Sequence, residues 1–168
     1  MRKKYNLLFA LIIGWVISCS LALAAENYKY ALGTFDLVDS GKHLDWGGSS
    51  NYMTQWYDAV NTWNGYKSGV IRADTWRTIK DVTISDKEAY NGSTFAITYS
   101  SGKIVFFQEL MDGMTATQRQ ATITHEIGHA LGLDHNEKAT SVMRQGYKNF
   151  TALDQIDKEG YDAAYRRY

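Results

Sequence analysis

The sequence has no proline among its 168 residues and a single cysteine, Cys19. Without proline there is no proline-rich linker, and no repeat or low-complexity tract breaks the chain, so one compact domain is expected. With one cysteine no internal disulfide can form, so the fold must rest on its core and on any metal it binds. Long apolar runs are scarce as well. The longest, "YNLLFALIIGWVIS", follows the basic start "MRKK" and is short for a membrane anchor. "LALAA" comes after it, with Ala22 and Ala24 in the small-residue cleavage positions. Residues 1–24 are therefore expected to be a secretory signal peptide and residues 25–168 a single mature domain, secreted to the extracellular side. "VISC" loosely resembles a bacterial lipobox, which makes a lipid anchor on Cys19 the alternative. The apolar "SLALAA" beyond it favours free secretion.

Basic clusters are missing too. Residues 1–24 carry Arg2, Lys3 and Lys4 and no acid, so 15 basic and 18 acidic side chains remain, a net charge of −3. With no basic block, nucleic acid and anionic membrane are excluded as expected partners. A monomer without stable membrane association after leader removal is expected.

The segments that remain alternate between two periods. "YKYALGTFDLV" alternates apolar and polar residues and reads as a first strand. "SGKHLDWGGSSN", which contains His43, is rich in glycine and serine and reads as a loop. "YMTQWYDAVNTWNGY" sets Met53, Trp56, Tyr57, Val60 and Trp63 at three- and four-residue spacing. That is a helix whose aromatic stripe reads as core rather than as a sugar-binding platform. "GVIRADTW" and "DVTISD" read as short strands, and "STFAITYS" and "KIVFFQEL" as two more joined by a tight glycine turn. Thr115 with Gln118 makes a capping box that opens a helix running to about Leu131. A last helix is expected from near Thr151 to the closing "YRRY". The class is α+β, with helices on one face of a twisted sheet.

Histidine is the other scarce residue, and its placement is uneven. Three of the four histidines fall within "HEIGHALGLDH", residues 125–135. His125 and His129 lie four apart on the predicted helix, so both rings project from one face, one turn apart, and can reach one zinc ion. Glu126 points beside them, where a general base would act on a metal-activated water. Gly132 can adopt the left-handed conformation that ends a helix and returns His135 towards the same ion. Three imidazoles leave a fourth position open, the mark of a catalytic rather than a structural zinc. Five fixed positions, three of them histidine, arise by accident in a chain this long less than about once in 10⁴.

"HEIGHALGLDH" is followed by "TSVM", which places Met143 eight residues beyond His135. This pattern resembles the metzincin zinc metallopeptidases, and among them the matrixins, the family of matrix metalloproteinase catalytic domains. The likeness extends through "KIVFFQEL" and "LDQIDKEGYDAAY"; it is strong over 105–168 and weaker before. It implies a zincin-like fold: a twisted, mostly parallel sheet with an antiparallel edge strand, packed on two long helices, plus a C-terminal helix. It implies His125, His129 and His135 as ligands of one catalytic Zn2+, Glu126 as the base and Met143 as an apolar floor beneath the metal. By the same likeness Tyr147 would wall the pocket for the residue after the cleaved bond, and "STFAITYS" would be the edge strand that holds an extended peptide. Asn136 and Gln145 depart from the family pattern, which usually has serine and proline there. No cysteine-bearing propeptide or second zinc segment is expected. A structural Ca2+ could sit near Asp86, Glu88, Glu109 and Asp112, although a solvated acidic face is the commoner reading. The function implied is a secreted zinc-dependent endopeptidase with broad preference, biased to an apolar residue after the cut bond. The alternative is a secreted zinc-binding protein of the same fold, a binding or immunity factor without turnover.

Overall fold

The stripe on "YMTQWYDAVNTWNGY" does become a helix, α1 (Met53–Asn64), and Trp56, Val60 and Trp63 are buried on it. Tyr57 is the exception, half exposed with its ring edge-on to Trp46. The computed structural model describes residues 28–90 and 92–168, so the leader expected at 1–24, and Cys19 within it, lie outside the described residues. The strands are β1 (Ala31–Leu32), β2 (Leu44–Gly48), β3 (Ile71–Ala73), β4 (Val82–Lys87), β5 (Ala96–Tyr99), β6 (Lys103–Phe107) and β7 (Leu133–Asp134). The other helices are the short α2 (Gln108–Met111), then α3 (Ala116–Ala130) and α4 (Gln155–Tyr165). No helix among the described residues is long and apolar enough to cross a membrane.

Five strands form one sheet in the order β3-β2-β4-β6-β5. The pairs β2–β3, β2–β4 and β4–β6 are parallel, and only β5 runs antiparallel, on β6 at the edge. α1 and α3 pack on each other and on this sheet. Trp56 meets Trp46 and Phe106 edge-on, at 5.2 and 6.4 Å between ring centroids, and the Trp63 indole donates to the Thr124 carbonyl at 2.9 Å. Tyr161 of α4 closes the far end of α1, 5.4 Å from Trp63.

Three expectations need correction. The stretch expected as a loop contains the interior strand β2, hidden in the sequence because its second residue is an aspartate and its last two are glycines. Asp45 is buried there, since Arg72 on β3 forks onto both carboxylate oxygens at 2.9 and 2.8 Å. A bidentate pair of this kind satisfies a buried charge that patterning alone assigns to solvent. The first predicted strand shrinks to the two residues of β1, which leave the main sheet and pair antiparallel with β7. The last helix begins four residues later than expected. Asp154 is its N-cap, and Asp157 completes a capping box in place of the usual Glu or Gln. The calcium expectation finds no support: Asp86 is engaged by Ser50 and Asn51, and Asp112 by Tyr52. Among the described residues these acids and Glu88 and Glu109 form no group that could hold a metal.

Candidate active site

Helix α3 opens on the predicted capping box. Thr115 Oγ1 accepts from Gln118 N at 3.2 Å, and Gln118 Oε1 accepts from Thr115 N at 2.9 Å. From that fixed start, His125 and His129 fall one turn apart on the same face of α3. The helix stops at Leu131, and Gly132 turns the chain with φ +85°. Leu133 and Asp134 then pair with β1, and Gly33 N donates to Gly132 O at 2.9 Å. The N-terminal strand thereby clamps the segment that delivers His135.

The result is a tight triad. The Nε2 atoms of His125, His129 and His135 lie 3.1–3.2 Å from one another. Each Nδ1 is committed elsewhere: His125 Nδ1 donates to Val142 O at 2.8 Å and His129 Nδ1 to Leu133 O at 2.9 Å. His135 Nδ1 sits 3.1 Å from the Gln145 amide, which serves it once Oε1 is the atom turned to accept. With the protons on Nδ1, three bare Nε2 lone pairs converge, an arrangement that repels itself unless a cation lies between them. Burial pushes all three imidazoles below their ordinary value, and the neighbouring histidines lower His125 and His135 further.

The methionine turn is seated from both sides. Met143 is fully buried, and a Cβ on Gly128 would come 2.3 Å from its sulfur and 3.2 Å from the Trp63 ring. Only a bare helix face leaves room for Met143 there. From the other side comes a residue that sequence reasoning missed, the fully buried Asp157 of α4. It accepts from Ser141 Oγ, from Val142 N at 3.0 Å and from Asp154 N at 2.9 Å. Val142 in turn accepts from His125, so α4 reaches the triad through one peptide unit. The visible signal was the Asp154-x-x-Asp157 spacing. Asn136 ties the intervening loop by donating to Ser141 Oγ at 2.8 Å.

The model of the peptidase M10 family, the matrixins, matches residues 43–166. The chain belongs to the matrixin family. No curated protein matches it. Among solved structures it is similar to one described as the GM1-bound form of the ECX AB5 holotoxin. The identity there is 17%, over 82% of this chain and 87% of that one, with a TM-score of 0.49.

Matrixins depend on zinc, and the donor set of this matrixin fits that ion. Tetrahedral zinc at about 2.0–2.1 Å from nitrogen spaces its ligands about 3.3–3.4 Å apart, close to the spacing found. Beside the triad opens a cavity of about 660 Å³, lined by α3, by β5 and by the chain after Met143. Glu126 lines it, its Oε2 accepting from Thr98 Oγ1 of β5 at 2.7 Å. Burial pushes this carboxyl up to about 7, against the opposing pull of the Thr98 hydrogen bond. Tyr147 is largely exposed, but its ring rests on Phe95 at 4.5 Å between centroids. It backs the cavity wall through Phe95, which lines the cavity directly. A second residue missed in the sequence, Lys148, also lines the cavity and is only 6% exposed. His43 stays in its loop, its backbone N–H donating to Asp39 at 2.8 Å.

The lowered imidazoles of this matrixin give a stability prediction for the metal-free protein. Below about pH 6.5 the unfolded chain takes up protons on these histidines, while the folded chain resists until its lower values are reached. The unfolded state then binds more protons, so stability falls with acid. Folded Glu126, raised to about 7, takes up a proton over the same range and opposes this trend. The clean readout is therefore the chelated Glu126→Gln protein, whose thermal unfolding temperature is expected to decline from about pH 6.5 towards pH 5. A melting temperature unchanged over that interval would show that the imidazoles are solvated.

Proposed function

We propose that this matrixin is a secreted, monomeric, zinc-dependent endopeptidase that hydrolyses peptide bonds in extended substrates. The observation that carries the reading is the convergence of three histidine Nε2 atoms next to the Glu126 carboxyl, inside a cavity flanked by a sheet edge that is unpaired among the described residues. Export rests on the leader pattern of residues 1–24 alone.

Zinc held by His125, His129 and His135 would supply a Lewis acid that polarises a carbonyl and acidifies water. The chain's own residues do the rest. β5 has no partner on its outer side among the described residues, so an extended peptide can add there as a further strand through main-chain hydrogen bonds. Glu126 takes one proton from the water that attacks the scissile carbonyl and passes it to the departing amine as the C–N bond breaks. Thr98 orients that carboxyl from the same strand that would hold the substrate, so binding register and base position are coupled. Met143 and Asp157 keep the triad in place.

Cleavage of an unstructured protein such as casein, with and without a chelator, tests the reading. Cleavage lost on chelation and restored by zinc is expected. A protein that binds zinc but cuts neither casein nor a mixed peptide library is a binding factor instead.

A further inference from the structure

Lys148 is out of place in a pocket expected to prefer apolar side chains. An ammonium has three protons to donate. Two go to main-chain carbonyls of the loop, Arg144 O at 2.6 Å and Gly146 O at 3.0 Å. Among the described residues no carboxylate lies within 4.0 Å of Lys148, although the side chain is buried and lines the cavity. Arg144 adds to its positive surroundings, and the Glu126 and Asp157 carboxyls act on it from further away. A buried cation with an uncommitted proton and no ion-pair partner costs free energy. That cost is incurred on folding, so an anion entering the cavity meets a donor already desolvated and fixed by the loop it staples.

We infer that Lys148 makes the pocket selective for an acidic side chain, aspartate or glutamate, at the position just after the cleaved bond, an inference that rests on the endopeptidase reading above. An apolar side chain placed there would bury the ammonium further and leave its charge unanswered. A carboxylate would complete a charge-assisted hydrogen bond. Phe95 and Ile97, in the wall, would pack the methylenes of such a side chain.

The test uses zinc-loaded wild-type protein and peptides that differ at that one position. Glutamate is expected to exceed its neutral isostere glutamine by about tenfold or more in kcat/KM. Lys148→Met, of similar length and without charge, is expected to bring the ratio close to one and to admit leucine and methionine. Equal cleavage of the glutamate and glutamine peptides by wild type overturns the inference, as does a Lys148→Met profile that keeps the acidic preference. The wild-type ratio decides even if the loop of the variant loosens. Binding of the same peptides to zinc-loaded Glu126→Gln protein, read by fluorescence anisotropy, separates this inference from the peptidase reading. If wild type cuts nothing but the glutamate peptide binds about tenfold tighter, and Lys148→Met removes that difference, the pocket assignment stands and the peptidase reading falls. If neither peptide binds or is cut, both fall.

Discussion

Replacing Glu126 with alanine is expected to lower peptide cleavage by at least about 100-fold, the lower end for loss of a general base. Zinc content and melting temperature are expected to stay near wild type. The structure gives two reasons for the intact fold. Burial already disfavours the charged carboxylate at this site, raising it to about 7, so its removal relieves a desolvation cost. The Thr98 hydroxyl loses the Glu126 side chain but keeps the main-chain carbonyl of residue 126, which lies 3.0 Å away and survives the substitution. None of the converging Nε2 atoms belongs to Glu126, so metal affinity has no direct reason to change. Near-normal turnover by a zinc-replete variant would take the proton-transfer role away from Glu126.

His135→Ala is expected to weaken zinc binding by more than the roughly 10–100-fold that loss of a supporting hydrogen bond costs, and to remove cleavage with it. Gly132→Ala keeps all three ligands and attacks their delivery instead. Its φ of +85° lies where a side chain is strained, and a Cβ would come within 3.1 Å of Asp36 Cβ. The left-handed conformation alone costs about 1–2 kcal/mol. The glycine variant is therefore expected to fall between wild type and His135→Ala in a zinc competition titration. If Gly132→Ala matches wild type in both affinity and cleavage, the turn does not position the third ligand. If it is worse than His135→Ala, the turn is needed for folding as a whole.

How far the site could be read in advance depended on whether its parts were local. The capping box at Thr115 and Gln118, the helical spacing of His125 and His129, and the turn at Gly132 are contained in eighteen consecutive residues, and all appear where the pattern placed them. Asp157 and Lys148 were not read. Each is a polar residue whose surroundings come from distant parts of the chain, and a polar residue in isolation reads as solvent-exposed. Asp45 misled for the same reason, because its partner Arg72 is on a neighbouring strand.

Residue type and spacing thus carried the placement of the α3 histidines, because a helix repeats every 3.6 residues and sets side chains on a face by count alone. They carried the class as well, through the period-two strands and the helix face of Trp56 and Trp63. Which strand pairs with which was not open to counting. Parallel neighbours such as β2 and β4 are joined through long connections, and no local signal states their partner. The clamp of β1 on β7, the anchoring of Met143 by Asp157 and the entry of Lys148 into the cavity were likewise decided by tertiary packing. Burial is a property of the assembled chain, and it is burial that turned an ordinary lysine and two ordinary aspartates into parts of the site and its frame.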